Sequence, residues 1–188
     1  MPIVHLLRHG AHDDLGLRLT GRAPDGGLSA LGRTQAVAAA RRLQADPPAA
    51  VYASPRRRTM ETASIVAEHL GLEVMEAPAL DEIDFGEWTG RSFLQLHDDP
   101  RWAVWNSRRS EARCPGGETM AEAQARALAF AFEVAATHDG PALLVTHCDV
   151  IRALHCWSER RSLDSILDTQ CEPGSLSVLA LAADRQAA

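Results

Sequence analysis

Arg8-His9-Gly10 follows directly on the apolar run Ile3-Val4-His5-Leu6-Leu7, so an imidazole sits where a short buried strand gives way to a loop. Open α/β sheets place their ligand sites at such strand ends. Further along come Ser54-Pro55-Arg56-Arg57-Arg58-Thr59, Leu80-Asp81-Glu82-Ile83-Asp84-Phe85-Gly86-Glu87-Trp88-Thr89-Gly90, Pro115-Gly116-Gly117-Glu118 and Val145-Thr146-His147. Two histidines, clustered arginines and a carboxylate-rich turn are the parts that phosphoryl transfer requires. It needs an in-line nucleophile, an electropositive cage for three equatorial oxygens and a proton for the leaving oxygen. The chain can supply each without a metal. Arginines beside an imidazole lower its pKa and keep it neutral, as nucleophilic attack demands.

The elements that must position these groups alternate. Strands are expected at Ile3 to Leu7, Ala50 to Ala53, Leu72 to Glu76, Ala142 to Thr146 and Ser175 to Leu181. Between them lie four helical patterns. One is capped by Ser29, carries Leu31, Val37, Ala40 and Leu43, and stops before Asp46-Pro47-Pro48. A second runs from Arg57 to Leu70, with Ile65, Val66 and Leu70 inward and Gly71 as its stop. A third spans Thr119 to His138, and a fourth begins near Val150 with Asp149 as its N-cap. The implied fold class is α/β, a three-layer sandwich with a mostly parallel central sheet flanked by helices. Arg91 to Cys114 fits neither pattern. Its aromatic and arginine residues are read either as an irregular helical cap over the open end of the sheet or as a surface excursion.

The five landmarks, in this order, resemble the histidine phosphatase superfamily, which includes cofactor-dependent phosphoglycerate mutase and α-ribazole phosphatase. The resemblance runs from Ile3 to about Arg152 and implies the phosphoglycerate mutase-like fold. It makes His9 the nucleophile, His147 a second site histidine donating to a phosphoryl oxygen, and Arg8 and Arg58 the phosphate-holding cations. Arg58 matches a Ser-Pro-Leu-x-Arg pattern in which Arg56 replaces leucine; Arg56 and Arg57 are expected at the surface. Glu82 is placed as general acid by Glu-x-x-Phe-Gly-x-Trp-x-Gly, with Asp81 as its rival and an exposed acidic turn as the bland reading. To act at neutral pH it needs a pKa raised by burial or by a neighbour such as Asp81 or Asp84. Thr20 and Gly21 are expected to offer a hydroxyl and backbone donors to substrate, and Cys148 to line the substrate site.

Two departures from the family pattern stand out. Ala11-His12-Asp13-Asp14 replaces a familiar phosphate contact, with His12 read as a loop-surface imidazole. Cys148-Asp149 replaces a glycine pair, which asks non-glycine backbone to approach the phosphate. The expected function is metal-independent hydrolysis of a small phosphorylated metabolite through a phosphohistidine. The alternatives are a cofactor-dependent phosphoglycerate mutase, which Trp105-Asn106-Ser107-Arg108-Arg109 faintly suggests, or a non-catalytic phospho-ligand binding domain.

Composition narrows the partners. The 188 residues suit one domain, 1–188, with a lid or insertion at about 91–115. A formal net charge of −6 argues against non-specific nucleic-acid binding, so an anion site must be local. All 19 basic residues are arginine, which excludes lysine Schiff-base chemistry and favours bidentate phosphate recognition. Cys114, Cys148, Cys156 and Cys171 show no C-x-x-C pairing and read as isolated thiols. No metal or cofactor is called for. No apolar stretch reaches membrane-span length and Met1-Pro2 leads straight into a strand, so a cytoplasmic protein is expected, acting on a small phosphomonoester and compatible with a homo-oligomer.

Overall fold

A computed structural model of the chain describes residues 1–182. Five strands, β1 (Ile3–Arg8), β2 (Ala50–Ala53), β3 (Val74–Glu76), β4 (Ala142–Thr146) and β5 (Leu176–Ala180), form one sheet in the order β3-β2-β4-β1-β5. Only the β1–β5 pairing is antiparallel. The fold class is therefore the expected one. Two strands come out shorter than their apolar runs: β3 begins at Val74 and β5 is trimmed by one residue at each end. The sequence also suggests a frayed tail after Leu181; all of it but residue 182 lies outside the described residues.

Alternation along the central strands sends side chains to two cores. Val4, Leu6, Ala142 and Leu144 pack with Ala127, Leu128, Ala131, Val150, Ile151 and Leu154 of α5 (Met120–Thr137) and α6 (Cys148–Ser158). Leu7, Val51, Leu143 and Val145 pack on the other face with Ala39, Ala40, Leu43, Ala63 and Val66 of α1 (Ala30–Leu43) and α2 (Arg57–Leu70). Thr119 and Glu122 form a reciprocal capping box at the start of α5, and Ser29 caps α1. Leu31 is not inward as expected but exposed. The reason is close packing: a Cβ on Gly32 would lie 2.1 Å from the carbonyl oxygen of Ala11, so α1 approaches the loop after β1 on its small-residue face. In α2, Val66 is buried, while Ile65 and Leu70 are only half-buried.

The segment after Gly90 folds into two short helices, α3 (Phe93–His97) and α4 (Pro100–Ser107). They pack over a third core of Ile83, Phe85, Trp88, Leu96, Trp105 and Met120, in which Trp88 meets Trp102 edge-on at 5.3 Å. Arg101 and Arg113 remain outside, paired with Asp99 and Glu122.

Candidate active site

The C-terminal ends of β1, β2 and β4 converge on one cleft. The ladder continues just past them: His9 N donates to Thr146 O at 3.1 Å and Ser54 N to Val145 O at 3.0 Å. Main chain thus sets the spacing of His9, Ser54 and His147, and the two site imidazoles lie 5.3 Å apart.

His9 is buried, with Nδ1 2.8 Å from Gly10 O. A carbonyl only accepts, so Nδ1 carries the proton and Nε2 presents its lone pair, facing Arg58 Nε at 3.3 Å. Burial, and then Arg58, hold its pKa well below the ordinary histidine range. Arg58, itself buried, spreads its other donors over Asp25 Oδ2 (2.7 Å), Gly21 O (2.8 Å) and His147 Nδ1 (3.0 Å). Asp25 belongs to no motif. Gly21 accepts from the cation through its carbonyl and itself lines the cleft.

His147 is fully buried, and burial followed by Arg58 lowers its pKa as well. Because Nδ1 accepts from Arg58, Nε2 is the protonated nitrogen and donates to Ser54 Oγ at 2.7 Å, whose own proton goes to Asp81 Oδ1 at 3.2 Å. As a hydroxyl can also donate to an unprotonated Nε2, Ser54 suits either tautomer. Asp81 also accepts from Glu82 N at 2.8 Å and pairs with Arg56 at 3.0 Å. Arg56 is accordingly half-buried, contrary to its expected surface position, whereas Arg57 is exposed.

Glu82 lies mostly buried, Oε2 3.8 Å from His147 Nδ1. Its pKa rises to about 7, through burial first and then the negative charge of Asp149. Asp149 is the carboxylate with the largest effect, where the sequence suggests Asp81 or Asp84. It is also not the expected N-cap of α6. That position belongs to His147, since the chain turns from β4 straight into the helix, and Asp149 in the first turn binds Arg109 at 3.0 Å. Cys148 and Asp149 are ordinary helical residues; among the described residues only Arg160 combines a side chain with positive φ. The glycine replacement therefore costs no backbone strain.

The Glu82 carbonyl is gripped by two cations, Arg22 Nε at 2.7 Å and Arg126 Nη2 at 3.1 Å. Glu118, the last residue of Pro115-Gly116-Gly117-Glu118, holds both, at 2.9 and 3.1 Å, and accepts from Asp84 N at 3.0 Å. Sequence reasoning marked Glu118 but assigned it no role and missed Arg22 and Arg126.

Arg8, Thr20 and Cys148 line the same cleft. Thr20 Oγ1 and Arg8 Nε are buried with no partner among the described residues. His12 is not at the surface: it is buried in the cleft, its ring 5.4 Å from that of His9. The arginine pair that suggested a mutase is divided, with Arg109 held by Asp149 and Asn106 and Arg108 bound to Glu111 outside. Among the described residues no three of His, Cys, Asp and Glu gather where they could hold a metal ion. No helix among them is long and apolar enough to cross a membrane.

Such a cleft, at the carboxyl end of a largely parallel sheet, with two imidazoles, buried arginine and a glutamate of raised pKa, has the parts that phosphoryl transfer requires. The profile of the histidine phosphatase superfamily (branch 1) matches residues 4–188, and the chain belongs to this family. It is 36% identical over 160 residues to a glucosyl-3-phosphoglycerate phosphatase of Mycobacterium tuberculosis (strain CDC 1551 / Oshkosh), covering 79% of this chain and 71% of that one. Identity to a putative phosphoserine phosphatase 2 of Hydrogenobacter thermophilus (strain DSM 6534 / IAM 12695 / TK-6) is 30% over 161 residues, covering 83% and 78%. Among solved structures, a mycobacterial glucosyl-3-phosphoglycerate phosphatase in complex with VO3 superimposes with a TM-score of 0.85 at 30% identity, covering 96% of this chain and 93% of that chain.

Proposed function

We propose that the chain is a metal-independent phosphomonoesterase of small phosphorylated metabolites that works through a phosphohistidine at His9. The observation that carries the reading is the His9 tautomer: Nδ1 is committed to Gly10 O, and the Nε2 lone pair faces the buried Arg58. His9 Nε2 attacks phosphorus while the bond from phosphorus to the leaving oxygen breaks, and Glu82 gives that oxygen its proton. The products of this step are the free alcohol, N-phosphorylated His9 and ionised Glu82. Water then attacks, surrendering a proton to Glu82 as the phosphorus–nitrogen bond breaks, which returns neutral His9 and releases phosphate.

Charge on the equatorial oxygens falls to Arg8, Arg58 and Thr20 Oγ1, with the second imidazole alongside. His147 aims the Arg58 guanidinium and donates from Nδ1 only in the tautomer that Ser54 then supports at Nε2. Cys148 contributes to the wall of the cleft.

Rapid acid-free quenching during turnover tests the reading. It predicts a base-stable, acid-labile phosphoenzyme that maps to His9, and turnover indifferent to chelators. A phosphorylated serine or aspartate, or activity restored to chelated enzyme only by a divalent ion, overturns it.

A further inference from the structure

The cleft changes character from floor to mouth. At the floor His9 and Arg58 are 3% and 1% exposed; at the mouth Leu15 and Phe93 are 37% and 39% exposed. Leu19 and Phe85 complete this apolar lining. The wall is one stitched unit: Leu19 N donates to Arg91 O at 2.9 Å, Gly90 N to Leu19 O at 2.7 Å and Phe93 N to Leu17 O at 3.3 Å. Single exposed leucines are ordinary on a protein surface, but four large apolar side chains converging on one cleft mark what it takes in.

Away from the floor, the cations beside this lining carry carboxylate partners. Arg18 pairs with Asp14 at 3.0 Å, and Arg109 is held by Asp149 and Asn106. Asp149 itself lines the cleft and adds negative charge there. A second anionic group on the substrate would compete with Asp14 for Arg18 and meet the negative charge of Asp149.

We propose that the preferred leaving group is an apolar alcohol, aryl or medium-chain alkyl, seated against Leu15, Leu19, Phe85 and Phe93, in preference to a hydroxy acid carrying a carboxylate. The proposal rests on reading the cleft as a phosphomonoesterase site, and its test is therefore made on binding, without turnover. Competition with vanadate is measured for methylphosphonate, hexylphosphonate and a carboxyalkylphosphonate of equal chain length.

Each methylene withdrawn from water contributes roughly fourfold when fully buried. Hexylphosphonate is therefore expected to bind at least about tenfold tighter than methylphosphonate at this half-open wall, with the carboxylated analogue near methylphosphonate. Phe93→Ala and Leu15→Ala should each erase most of the hexyl advantage. Unchanged methylphosphonate affinity in these variants shows that the floor is intact. The proposal is overturned if the carboxylated analogue matches hexylphosphonate, if hexyl and methyl bind alike, or if both variants leave the hexyl preference in place. Failure to trap a phosphohistidine with this ordering preserved overturns the catalytic reading alone.

Discussion

The two groups proposed to exchange bonds and protons in this cleft are held by different means. His9 stands at the end of β1, its backbone bonded to Thr146, its ring fixed by Gly10 O, with sheet and helices packed behind it. Glu82 stands on an irregular loop whose carbonyl is gripped by Arg22 and Arg126, both tied to Glu118. The proposed nucleophile is positioned by main chain, the proposed acid by long side chains one-fifth to under one-third exposed. Main-chain positioning survives most single substitutions, whereas a side-chain clamp fails when one member is lost.

The sharpest test removes the nucleophile. His9→Ala should cost on the order of a thousandfold or more in kcat/KM for every ester, whatever its leaving group, and abolish the phosphoenzyme. Wild-type rates in this variant remove the nucleophile side of the comparison altogether. Arg58→Lys comes next, at about a hundredfold or more for alkyl and nitrophenyl esters alike, because a point charge cannot serve the four partners of the guanidinium.

On the acid side the losses should depend on the leaving group. Glu82→Gln is expected to slow alkyl esters by about a hundredfold and nitrophenyl phosphate only a few-fold, since a nitrophenolate leaves without a proton. The pH profile carries the same signature. The first step uses protonated Glu82, so kcat/KM for an alkyl ester should fall as pH rises through about 7, while no such limb appears for the nitrophenyl ester. Equal losses for both esters would make Glu82 a positioning group.

The smallest effect isolates the clamp. Glu118→Gln keeps the shape but gives up the charge holding Arg22 and Arg126, and should cost about tenfold for alkyl esters with little change for nitrophenyl phosphate. A loss shared by both esters, or accompanied by collapse of vanadate affinity, would place Glu118 in the fold's support at large and end the contrast between the two halves.

The same contrast explains what was legible in the sequence. Strand ends announce themselves locally: an apolar run ending in Arg8-His9-Gly10 or Val145-Thr146-His147 locates its own side chain, and the parallel sheet brings the ends together. The clamp has no local signal, because Arg22, Glu82, Glu118 and Arg126 meet only through tertiary packing across loops of irregular backbone. Asp25 escaped for the same reason. His12 is misplaced by reading a polar loop residue as surface, when the cleft buries it, and Asp149 by starting the helix at Val150, when α6 begins at Cys148 and takes Asp149 into its first turn. Leu31 erred in the opposite direction: close backbone approach at Gly32 leaves no room for a leucine beneath the helix.

Arg58 donates to both imidazoles, to Asp25 and to Gly21 O. Four of its five N–H groups are thereby taken, so a phosphoryl group that accepts from more than one must displace an existing partner such as an imidazole nitrogen, and part of the attraction is offset by contacts given up. When the product leaves, those nitrogens are on hand to reclaim the same N–H groups. The cage therefore carries its own displacing ligands, and inorganic phosphate should dissociate readily, with weak product inhibition, from a site whose charge alone would hold it tightly.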